Sequence, residues 1–100
     1  MNNKIRKILN KKDKSKIICL TAYSGFLSKI LDKYIDIILV GDSLGNVLYG
    51  MKNTHKVTLD MMINHGKSVK QGIEKSLLVV DMPINTYKNK KEALQNAKKI

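Results

Sequence analysis

The chain has 100 residues, enough for one domain with a modest core, and its 43% apolar content is that of a globular protein. A net charge of +11 raises nucleic-acid binding, but 18 of the 19 basic residues are lysine and only Arg6 is arginine. A base-reading surface favours arginine, and no nucleic-acid motif accompanies the charge, so the excess reads as the Lys, Asn and Ile enrichment of an AT-rich coding sequence. A small basic nucleic-acid-binding protein stays the second class of function, with a steep salt dependence as its signature. Cys19 is alone, which rules out an internal disulfide and fits a cytoplasmic location. No apolar stretch approaches a membrane span, and the basic opening lacks the apolar region of a secretory signal.

The first element in chain order is a short helix within Ile5–Leu9. Three compact apolar runs follow, each leading through a polar turn into a helical pattern: Lys16–Thr21, Asp36–Val40 and Leu77–Val80. Runs that are apolar at nearly every position predict parallel strands covered on both faces. Ser24 caps the first helix, with Phe26, Leu27, Ile30, Leu31 and Tyr34 as its buried face. Thr58 caps the second, with Leu59, Met62, Ile63, Gly66, Val69 and Ile73 along one stripe. Asn89 and Glu92 open the third, followed by Ala93, Leu94, Ala97 and Ile100. Strands alternating with helices predict right-handed parallel crossovers, in either an open doubly wound sheet or a β/α barrel. Three strands satisfy both architectures and cannot close a barrel. The helical pattern still running at Ile100, with no Gly or Pro stop, predicts that the fold is truncated.

The second strand runs into Gly41-Asp42-Ser43-Leu44-Gly45 and the third into Asp81-Met82-Pro83. Both aspartates therefore fall at carboxyl ends of strands, the edge where ligands bind in either architecture. Adjacent parallel strands lie ~4.8 Å apart, so two carboxylates there can share a cation, and oxygen-only ligation suits Mg²⁺. The competing role for each aspartate is a helix cap or turn former. Gly41 and Gly45 would permit a sharp turn and a close ligand, and Ser43 would hydrogen-bond a substrate carboxylate or else the loop backbone.

Other signals are weaker. His55 and His65 lie in different segments, each with a surface or packing role as good as ligation. Gly66-Lys67-Ser68 falls mid-helix without the preceding strand of a phosphate-binding loop. Gly41-Asp42-Ser43-Leu44 also resembles the nucleophile block of GDSL-type serine esterases, which would make Ser43 a nucleophile. Such an enzyme needs a histidine base and an orienting acid, and the Asp-x-x-His pair that supplies them is missing.

Leu20-Thr21-Ala22-Tyr23, Ile35 through Gly45, Val57-Thr58-Leu59-Asp60-Met61-Met62 and Val79-Val80-Asp81-Met82-Pro83, in this order and spacing, resemble the ketopantoate hydroxymethyltransferase family from about Ile17 to Ile100. The resemblance implies a TIM-type (β/α)8 barrel of the phosphoenolpyruvate-utilising type. Residues 1–100 would be the N-terminal portion of that single domain, an N-terminal helix and the first three β/α units. It implies hydroxymethyl transfer from 5,10-methylenetetrahydrofolate to the oxo acid 3-methyl-2-oxobutanoate, giving ketopantoate on the route to pantothenate and coenzyme A. It implies Mg²⁺ on Asp42 and Asp81, the oxo acid against Asp42, Ser43 and Asp81, and a homo-oligomer.

Four positions depart from the family pattern. Ser24 stands where Asp is usual, and Asn64-His65-Gly66 where Tyr-His-Thr is. Met61 stands where an acid is common, which predicts loss of the capping box from Thr58. The family's next strand carries a Lys and a metal-associated Glu, and a later strand carries the Glu acting as general base. All fall past Ile100, so no catalytic base is expected here. The 100-residue chain alone is expected to be inactive and, with two strand edges and the barrel-facing side of the sheet open, poorly soluble or partly unfolded.

Overall fold

A computed structural model describes residues 2–100 as a mixed α/β unit. Its elements run α1 (Asn3–Leu9), β1 (Cys19–Thr21), α2 (Gly25–Leu31), β2 (Ile37–Val40), α3 (Leu44–Tyr49), α4 (Leu59–Gly72), β3 (Leu77–Val80) and α5 (Lys90–Lys99). The strands form one parallel sheet in the order β1-β2-β3, with Cys19 opposite Ile37 and Ile37 opposite Leu77. The expected alternation of strand and helix is what the chain adopts. β1 is three residues, not the six from Lys16: the Ile18 carbonyl still accepts from Ile37 N–H, but the Ile18 N–H donates to the Asp36 carboxylate at 2.9 Å instead of to a strand. α3 arises in a stretch expected to be loop and stops at Gly50, whose φ of 66° needs no side chain.

Period-2 alternation divides the sheet into unlike faces. Ile38 and Val40 are fully buried beneath α4 with Met62 and Val69, and Ala22, Leu44 and Val57 complete this core. On the opposite face Leu39 is half-buried, while Cys19, Thr21 and Val79 are exposed. Cover is thus present on one face of β2 and β3, and the other face is open, as expected for this chain alone.

The helices differ most from expectation in α2. Most of its apolar stripe points outward: Phe26 is 81% exposed and Tyr34 72%, while Leu31 packs against the core and Ser28 is fully buried. Close approach of α2 to α4 selects the small residues. Gly25 N–H donates to Ser68 Oγ at 3.0 Å, and Ser28 Oγ donates to the Val69 carbonyl at 2.8 Å. A Cβ on Gly25 would stand 2.7 Å from the Ser68 carbonyl oxygen, and one on Gly72 would collide with Ser28 Oγ and the Gly25 carbonyl. Leucine-sized side chains cannot occupy such a seam, so they are left outside it. By contrast the α4 stripe is as expected, with Met62, Gly66 and Val69 buried.

The caps follow sequence. Ser24, Thr58 and Asn89 accept N–H bonds from Leu27, Met61 and Glu92. The capping box at Thr58, expected to be lost, persists with a substitute: the Met61 thioether sits 3.5 Å from Thr58 N as a weak sulfur acceptor.

The amino-terminal edge of the sheet is pinned by two carboxylates. Asp32, 6% exposed, accepts N–H bonds from Glu74, Lys75 and Ser76 at 2.8–3.2 Å. Burial pushes its carboxyl up, but those N–H donors, Ser76 first, prevail and lower it from 3.8 to about 2. Asp36 accepts Ile18 N–H and an ion pair from Lys11 at 2.6 Å; the former and then the latter hold its carboxyl below the usual range.

Candidate functional site

β2 and β3 end side by side, which brings the two aspartates together. Their pairing continues one step past the strands: Asp81 N–H donates to the Val40 carbonyl at 3.0 Å. The chain then turns at Gly41, and Asp42 N–H donates to Asp81 Oδ2 at 3.0 Å. Asp81 thereby commits one oxygen to the protein. The Asp42 carboxylate accepts no hydrogen bond and forms no ion pair among the described residues. Neither aspartate caps a helix: α3 begins at Leu44, and its cap residue Ser43 makes no side-chain cap hydrogen bond.

Ser43 turns away from the loop backbone. Its Oγ lies 3.2 Å from the Tyr23 hydroxyl, just beyond the end of β1. A Cβ on Gly41 would stand 3.4 Å from both Asp81 Oδ2 and Ser43 Oγ, so these oxygens converge above a buried glycine. The expected close approach at Gly41 is therefore real, although the atoms that approach are the protein's own. Gly45 serves packing: a Cβ there would meet Val57 Cγ2 at 2.6 Å and Met51 Sδ at 3.1 Å.

The three strand ends thus gather Asp42, Ser43 and Asp81 with Tyr23 at one edge, all oxygen donors. Such a set fits a hard cation such as Mg²⁺, which takes one or two carboxylates and fills its other positions from water and substrate. Among the described residues no group of three or more His, Cys, Asp and Glu side chains is placed to hold a metal.

Tyr23 was legible only as part of the family-like block, without a role. Its second support was not legible. His65 Nδ1 lies 2.9 Å from the Tyr23 carbonyl oxygen and its Nε2 lies 2.9 Å from the Tyr49 hydroxyl. A carbonyl only accepts, so Nδ1 carries the proton and, in the neutral ring, Nε2 accepts from Tyr49. His65 is neither a metal ligand nor a base for Ser43, whose hydroxyl partner is Tyr23. A serine esterase site is not supported. Gly66-Lys67-Ser68 lies inside α4, as its rejection required, and Ser68 Oγ is taken by Gly25. No helix among the described residues is long and apolar enough to cross a membrane.

Comparison with known proteins gives one answer. The profile described as ketopantoate hydroxymethyltransferase matches residues 2–100. The chain is 63% identical over 100 residues to 3-methyl-2-oxobutanoate hydroxymethyltransferase of Pelagibacter ubique (strain HTCC1062), covering all of this chain and 39% of that protein. It is 55% identical over 85 residues to the enzyme of that name from Rhizobium etli, covering 84% and 31%. With the enzyme of that name from Anaplasma marginale (strain St. Maries) it shares 52% identity over 90 residues, covering 90% and 32%. The chain therefore spans between three and four tenths of the length of these curated relatives. With its whole described length matched by one profile, the chain belongs to the ketopantoate hydroxymethyltransferase family.

Proposed function

We propose that this chain contributes the oxo acid and metal edge of a hydroxymethyltransferase that moves a one-carbon unit from 5,10-methylenetetrahydrofolate to 3-methyl-2-oxobutanoate, giving ketopantoate. The observation that carries this is the Asp42 N–H···Asp81 bond, which joins two strand ends and leaves the Asp42 carboxylate and one Asp81 oxygen uncommitted. Asp42 and Asp81 would hold Mg²⁺. When bound, the cation supplies Lewis-acid polarisation of the keto and carboxylate oxygens of the oxo acid. Ser43 donates a hydrogen bond to the substrate carboxylate while Tyr23 fixes its rotamer, and Asp42 and Asp81 orient the oxo acid. The C3 proton needs a base. That role falls to the glutamate of a later strand.

The consecutive order β1-β2-β3, all parallel, is the order that a barrel of the phosphoenolpyruvate-utilising type requires. In this reading the three β/α units are one portion of a single (β/α)8 domain. Their uncovered sheet face is the barrel interior. A homo-oligomer in the cytoplasm completes the proposal.

Paramagnetic relaxation with Mn²⁺ as a Mg²⁺ probe tests it on the 100-residue chain. Asp42→Asn and Asp81→Asn should each weaken binding about tenfold or more, and Mg²⁺ should compete. Binding that neither variant affects would refute the metal edge. Oxo acid turnover by the chain alone would refute the placing of the base.

A further inference from the structure

The opposite end of the sheet from Asp42 and Asp81 holds a cavity of about 460 Å³, within the range that accommodates small ligands. Five lysines line it: Lys4, Lys7 and Lys11 from α1 and the turn after it, Lys33 before β2 and Lys75 before β3. Spacings of three and four residues stack the first three on one side of α1. Two aspartates share the wall, so the lining charge is +5 − 2 = +3.

Neither aspartate is available to neutralise the lysines freely. Asp32 faces the backbone N–H groups of 74–76, and Asp36 is divided between Ile18 N–H and Lys11. Lys4, Lys7, Lys33 and Lys75 have no ion-pair partner among the described residues. Lys4 and Lys11 are half-buried and Lys7, Lys33 and Lys75 exposed, and five lysines lining one concavity raise the positive potential there. Lys88, Lys90, Lys91, Lys98 and Lys99, on α5 and its approach, are exposed and do not line this cavity. Ile8, Ile35 and Tyr34 add an apolar wall with one aromatic ring.

We propose that this cavity binds a di- or triphosphate group, held between the lysines of α1 and those of the two loops. The ligand is either the free polyanion or its ester with a planar organic molecule, which Tyr34 would face. The site is independent of the carboxylate edge and of the proposed transferase reaction.

Titration calorimetry at ~0.15 M ionic strength, with sodium triphosphate and separately with ATP, tests the proposal on the 100-residue chain. Saturable binding is expected. Lys7→Gln/Lys75→Gln should weaken it about tenfold or more, and Lys4→Gln/Lys33→Gln should do the same, which guards against a folding defect in either pair. The control Lys90→Gln/Lys98→Gln should change it less than about twofold. Equal affinity for the two ligands would assign recognition to the phosphates alone, and tighter ATP binding would assign it to an ester; both support the site. Absence of saturation, or equal weakening by the α5 control, would overturn it. So would tighter binding of a single-stranded oligonucleotide that all three variants weaken alike, in favour of a nucleic-acid surface.

Discussion

The two ends of the sheet each carry a pair of aspartates, and the pairs are used in opposite ways. At the amino-terminal edge Asp32 is saturated by three backbone N–H donors and Asp36 by an N–H and a lysine. At the carboxyl-terminal edge Asp81 accepts one N–H, and the Asp42 carboxylate accepts none among the described residues. Anions that the fold satisfies stabilise it, and anions that the fold leaves unsatisfied cost stability while remaining able to bind. Four residues of one type in one small fold thus separate into a pair that the fold satisfies and a pair that it leaves largely free among the described residues.

Substitution can break this contrast. The largest loss is expected for Asp32→Ala, which strands three N–H groups around a buried position. It should lower unfolding free energy by roughly 3 kcal/mol in urea titration. Next is acid. Because the Asp32 carboxyl sits at about 2 instead of 3.8, its contribution is present in full above pH ~4 and is lost as pH falls through 2. Wild type should lose about 2 kcal/mol over that window beyond whatever Asp32→Ala loses. Asp36→Ala should cost about 1 kcal/mol, since its partners are nearer solvent. Asp42→Ala should leave stability within about 0.5 kcal/mol of wild type while removing Mn²⁺ binding. A cost above that from Asp42→Ala would erase the distinction between the two ends.

Sequence carried the strand–helix alternation, the three caps and the placing of Asp42 and Asp81, because each depends on short spacings that a chain displays locally. Three features escaped it for a shared reason. The outward turn of Phe26, Ile30 and Tyr34 is decided by Gly72 and Ser68, more than 30 residues away, whose small size draws α4 onto the Ser28 side of α2. The structural role of Asp32 depends on the N–H groups of 74–76, and the support of Tyr23 by His65 crosses between segments 42 residues apart.

Parallel pairing also sets the order in which this fold can assemble. No strand pair here is a hairpin: Cys19 meets Ile37 across 37 − 19 = 18 residues, and Ile37 meets Leu77 across 77 − 37 = 40. Closing such loops costs chain entropy before any ladder bond offsets it, so locally capped helices form ahead of the sheet. The bond from Asp42 to Asp81 spans 39 residues and exists only once β3 has docked. Maturation of the carboxylate edge therefore coincides with the slowest closure in the chain, and a reporter on Asp81 would time the end of folding.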